Sequence, residues 1–140
     1  SYFERLRRKQ DVAENDILMV RDGTYLVGTC ALVTEHDTEI LYQSHIYKIR
    51  VNKNDLGIDP FLLLAILGSP VVLRQIKAKQ FTQDIIDSLG DRVRELVLPI
   101  PKSKQVREHV STTVRQAIQQ RVQARELARQ AREAVAQLTP

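Results

Sequence analysis

Few residues in this chain of 140 are of a type that does chemistry unaided. There are three histidines, His36, His45 and His109, and one cysteine, Cys30. The histidines fall on a loop, a strand and a long helix without ligand spacing, so each reads as a surface histidine. Cys30 stands among Thr29, Ala31 and Leu32, where a small buried hydrophobe is its expected role. A nucleophilic thiolate would need a basic partner that the neighbouring sequence does not supply. Asp84, Asp87 and Asp91 recur at a spacing that suits neither a calcium loop nor a nuclease centre. No Gly-x-x-x-x-Gly-Lys loop, Gly-x-Gly-x-x-Gly turn or His-Glu-x-x-His pair occurs. The expectation is a chain without catalytic residues, metal or cofactor.

What remains is charge, and it is unevenly placed. The net charge is +4 and the isoelectric point is near 9.4. Residues 1–100 carry 13 Lys and Arg against 14 Asp and Glu, whereas residues 101–140 carry 8 against 3. Basic clusters also stand within the balanced part: Arg5, Arg7, Arg8 and Lys9; Lys48, Arg50 and Lys53; Arg74, Lys77 and Lys79. Such patches suit an anionic partner or a solvated face. A single cysteine excludes a disulfide framework and fits a reducing cytosol. The apolar runs are too short for a membrane span, and 43% hydrophobic residues are enough for a core.

The elements that would position these side chains follow from local patterns. Asp16–Val20 reads as a strand, with a tight turn at Arg21-Asp22-Gly23-Thr24. Tyr25–Val33 reads as its partner, with Gly28 as a bulge. His45–Val51 alternates and gives a third strand. Asp59-Pro60 and Ser69-Pro70 each pair a capping side chain with proline at the first helical position, so two helices follow, over 60–67 and 70–78. Residues 79–83 read as a polar loop, Ser88–Val93 as a helical turn, and Ile85-Ile86 and Leu96–Pro101 as short strands or extended segments.

From Ser103 to Leu138 there is neither glycine nor proline. A helix of that length extends about 50 Å, longer than a small domain is wide. Val106, Val110, Val114, Ile118 and Val122 form a drifting stripe, and Ala124, Ala128, Ala131, Val135 and Leu138 form a heptad-like seam of mostly small residues. Val110, Val114, Ala117, Ala124, Ala128, Ala131, Val135 and Leu138 are therefore the expected partner-helix interface. Arg121, Arg125, Arg129 and Arg132 flank it. The fold class expected is α+β: a globular part over 1–102 with a small mixed sheet, then a long helix over 103–140 that projects for coiled-coil pairing.

The ordered segments resemble a family. Asp16-Ile17-Leu18-Met19-Val20-Arg21-Asp22-Gly23-Thr24, with Gly28 beyond it, is similar to the "D-I-L-x-x-R-x-G-T-x-G" hairpin of target recognition domains. These occur in type I restriction-modification specificity subunits and at the C-terminus of related adenine-N6 DNA methyltransferases. Ser44–Arg50 resembles their next strand, and Asp59–Leu64 through Ser69-Pro70 their paired helices. Leu96–Pro101 stands where the family has "L-x-x-L-x-I-P-L-P" before a long helix. The resemblance covers about residues 14–138. It departs at Lys79-Gln80-Phe81-Thr82-Gln83, where the family reads Gly-Ser-Thr-like and Thr82 alone matches. The family's first strands and its Asn/Asp-Pro-Pro-aromatic catalytic motif are absent from this sequence.

The resemblance implies a non-catalytic, cytoplasmic module of a bacterial or archaeal restriction-modification system. It would read double-stranded DNA and give specificity to a methyltransferase subunit, with the long helix docking that subunit and a second long helix. Arg or Lys pairs with guanine edges and Asn or Gln with adenine. The implied DNA-binding residues are Arg21, Thr24 and Tyr25 at the hairpin tip, and Lys77, Lys79, Gln80, Thr82 and Gln83 at the helix exit. Two alternatives stand beside this: the C-terminal specificity fragment of a fused methyltransferase-endonuclease, and a helical interaction adaptor without a DNA role.

Overall fold

The structure, a computed structural model, describes residues 1–83 and 85–138; the side chain of Gln83 also lies outside the described residues, as do Asp84 and the last two residues of the expected helical region. The order of elements is α1 (Tyr2–Gln10), β1 (Ile17–Val20), β2 (Asp22–Gly23), β3 (Cys30–Leu32), β4 (Ile46–Ile49), α2 (Pro60–Leu67), α3 (Pro70–Lys79), β5 (Phe81–Gln83), β6 (Ile86–Ser88) and α4 (Lys104–Ala136). Short 3-10 turns lie at Glu35–Asp37 and Gly90–Glu95. The fold is α+β, as expected, but the expected mixed sheet is two three-stranded sheets, in orders β3-β1-β4 and β2-β6-β5, with every pairing antiparallel.

β1 is the central strand of the first sheet. Ile17 pairs with Leu32 on one side and Ile49 on the other, and Met19 with Cys30 and Tyr47. The alternation of a strand sends Ile17 and Met19 to the same face. Both are fully buried there in a cluster with Leu62, Ile66, Leu67, Val72, Ile76 and Leu89. The caps of α2 and α3 are those their sequences dictate: Asp59 accepts from the Leu62 N–H at 2.8 Å, and Ser69 accepts from Val72. α2 is apolar all round because it is covered on several sides, α4 among them. Ser111 of α4 donates to the Asp59 carboxylate, so the cap of α2 also anchors the long helix.

Two local expectations are corrected. Asp22-Gly23 is not the hairpin turn. Gly23 has φ 158°, close to extended backbone, and the dipeptide forms β2 of the second sheet. The reversal occurs further on, where Thr29 N–H donates to Leu26 at 2.9 Å around Gly28, at φ 89°. Gly28 is both a turn residue and the expected bulge: Val20 faces two residues, accepting from the Gly28 N–H and donating to the Thr29 carbonyl, and a side chain at Gly28 would collide with Ile76. Residues 81–83 are β5 rather than loop. Their partner strand lies in β6, so nothing in their own composition announces the pairing.

Candidate nucleic-acid interface

β6 is the strand that brings the two expected DNA-binding segments together. On one edge Asp22 pairs with Ser88 and Gly23 with Asp87; on the other Phe81 pairs with Ser88, Thr82 with Asp87 and Gln83 with Ile86. Antiparallel register then carries Thr24 and Tyr25 toward the end of the sheet where the β5–β6 hairpin turns at Ile85. Tyr25 and Ile85 are each 92% exposed, and Leu26 is exposed beside them.

Beneath this end lies a polar lock. Ser88, 1% exposed, donates to the Asp22 carboxylate and accepts from the Gly90 N–H at 3.1 Å. His45 Nδ1 lies 3.1 Å from the other Asp22 oxygen, and Arg21 Nε is 3.5 Å from the first. Burial works against the Asp22 charge, yet the Ser88 and His45 hydrogen bonds and the Arg21 charge hold its carboxyl below the usual range. The Tyr47 hydroxyl donates to the Gly90 carbonyl, and the Arg21 guanidinium stands 5.9 Å over the Tyr47 ring. This network joins the first sheet, through His45 and Tyr47, to the second. His45 is a surface histidine, as expected, with 54% of its side chain exposed; its partner Asp22 lies 23 residues away, beyond the reach of any local pattern.

The expected residues divide accordingly. Arg21 is not at the tip: it sits at the root of β2, its backbone bonded to His45 and Leu89 and its side chain turned onto Asp22 and Tyr47. Thr24 and Tyr25 are exposed as expected. Lys77 is exposed on α3, beside Arg74, and neither makes an ion pair among the described residues. Lys79 is largely covered and pairs with Glu95 at 3.1 Å, with Arg92 on the same carboxylate at 3.6 Å. Gln80 is half-buried as the C-cap of α3. Thr82 is exposed and donates to Asp87 at 3.2 Å. For Gln83 only the strand position is described. Arg94, exposed on the turn after β6 and without an ion pair among the described residues, was not anticipated.

Among the described residues no group of three or more His, Cys, Asp or Glu side chains could hold a metal ion. Cys30 is half-buried, and burial pushes its thiol up to about 11, so it stays protonated at neutral pH. No helix among the described residues is long and apolar enough to cross a membrane.

α4 presents two faces. Val110 packs against the core of its own chain, and Val114, Ile118 and Val122 are half-buried on the same side, so Val110 and Val114 leave the expected partner interface. The first half of α4 is therefore part of the globular body. Arg115 stacks 4.4 Å over the Phe61 ring, and a groove of about 650 Å³ runs beside it, with Glu14, Glu35 and Glu126 on its walls. Further along, Arg125 donates to Asp37 at 3.2 Å and to Thr34. Ala117, Ala124, Ala128, Ala131, Val135 and Leu138 are exposed, about a third of a turn around the helix from the body-facing side. Comparison with family models, curated proteins and solved structures finds no match.

Proposed function

We propose that the chain is the DNA-recognition module of a restriction-modification system. It gives target specificity to a methyltransferase carried elsewhere in the chain or complex and has no catalytic role of its own. The observation that carries this reading is the pairing of β2 and β5 on the two edges of β6. Two segments about 60 residues apart in sequence thereby share one end of one sheet, as base reading by convergent loops requires. The order of the segments that resemble target recognition domains supports the same reading.

Within it the residues take different roles. Thr24, Tyr25 and Thr82 face the base edges from the sheet. Lys77 and Arg74 on α3 meet phosphates, and Arg21 and Lys79 shape the surface through their carboxylate partners. The exposed Ala117–Leu138 seam receives a second long helix, since close helix approach needs small side chains.

Fluorescence anisotropy against mixed-sequence duplex DNA, at about 50 and about 200 mM salt, tests this. About four phosphate contacts would weaken binding on the order of 100-fold across that range. Salt-insensitive binding, or none, refutes it. The exposed seam favours one other reading, a helical adaptor, for which self-association would persist without salt-dependent DNA binding.

A further inference from the structure

The helix α1 was not foreseen from sequence, although Ser1 and Glu4 form a capping box at its start. It carries Arg5, Arg7, Arg8 and Lys9 against a single carboxylate, Glu4. At 3.6 residues per turn these cations divide between two faces. Arg7 points to the body and pairs with Glu39 at 2.9 Å; Gln10 on the same side exchanges hydrogen bonds with the Tyr42 backbone. Arg5, Arg8 and Lys9 share the outward face and are exposed. Arg8 and Lys9 have no ion pair among the described residues, and Arg5 only stacks 5.4 Å over the ring of exposed Tyr2.

A helix C-terminus ordinarily repels anions. Here that end is covered: the Lys48 ammonium donates to the carbonyls of Gln10 and Asp11, and Arg50 neutralises the Asp11 carboxylate at 2.9 Å. The last turn, with Arg8 and Lys9 on it, is thus open to an anion.

We infer that the outward face of α1 is a clamp on the phosphate backbone of duplex DNA, separate from the base-reading sheet. The inference rests on the DNA-recognition reading above. β4 sets the geometry: Lys48 near its end holds α1, and His45, just before its start, faces Asp22 of β2. Three strand residues span about 10 Å. The points at which β4 holds the clamp and the reading sheet are therefore about 10 Å apart, short beside one helical turn of duplex, about 34 Å. Arg5, Arg8 and Lys9 engage two or three phosphates, contribute no base preference, and steer the reading end onto the groove.

The test uses the full chain and mixed-sequence duplex DNA, with the slope of log affinity against log salt measured by anisotropy. In the triple variant Arg5→Gln, Arg8→Gln, Lys9→Gln the slope should become shallower by about 2 to 3, at roughly 0.9 per lost phosphate contact. Affinity at about 50 mM salt should fall at least tenfold, equally for all sequences. Arg7→Gln, on the body-facing side, should leave the slope unchanged, and circular dichroism should show both variants folded. Wild-type slope in the triple variant, with binding retained, overturns the clamp and leaves the DNA-recognition reading standing. No DNA binding by the wild-type chain overturns both.

Discussion

Replacing Arg50 by Met removes the charged partner of a buried carboxylate, Asp16. Asp16 is 1% exposed and accepts from the Ala13 N–H at 2.8 Å and from Arg50 Nε and Nη2 at 2.7 and 2.8 Å. Burial alone would push its carboxyl up, but the Arg50 hydrogen bonds and charge, with the Ala13 N–H, hold it below the usual range. Removing one partner of a buried pair costs about 3–5 kcal/mol. Arg50 itself is 40% exposed, so water partly replaces it, and the expected loss is about 2–3 kcal/mol at pH 7. The pH dependence distinguishes this cause from lost packing. In the wild type the folded carboxyl is depressed, so its contribution is present above the unfolded value of about 4 and disappears only below it. In the variant, burial is no longer offset by Arg50 and the folded carboxyl rises above the unfolded one. The variant's deficit is then largest at pH 7 and shrinks as pH falls toward about 4.5. Urea unfolding at pH 7, 6, 5 and 4.5 measures both quantities. A loss below about 1 kcal/mol, or a larger loss with no pH dependence, would refute the reasoning.

Two further outcomes follow from the geometry. Gly28→Ala places a methyl 2.9 Å from Ile76 Cδ1 at φ 89°, so urea unfolding should show a loss of about 2–3 kcal/mol; adding Ile76→Val should recover part of it. Ala128→Glu with Ala131→Glu should abolish helix pairing by light scattering while changing stability by less than about 0.5 kcal/mol, because both positions are exposed.

What was legible in the sequence was what is encoded within a few residues. Asp59-Pro60 and Ser69-Pro70 announced two helix starts, and the caps are made by those side chains. The 33-residue α4 followed from an unbroken run of helix formers. Asp22-Gly23 misled because its pairing partner in β6 lies more than 60 residues on. A dipeptide suited to a turn serves equally as a short strand when a distant edge captures it. The same non-local pairing made β5 out of an apparent loop. In the candidate site the exposed residues Thr24, Tyr25, Lys77 and Thr82 were identifiable by type and position. The engagement of Arg21 by Asp22 and of Lys79 by Glu95 was not, since each depends on how separate elements pack.

The long helix is also a lever. From Arg125, the residue that grips Asp37 and Thr34, to Leu138 the axis runs about 20 Å. A tilt of about 10° at that grip swings the far end by roughly 3.5 Å, most of the distance between neighbouring residues along a chain. The grip is a surface ion pair between half-exposed groups, worth at most about 1 kcal/mol and weakened by salt. A second helix docked on the exposed seam, as proposed above, would therefore set where the tip points, while the root is fastened to the body by Ser111 on Asp59.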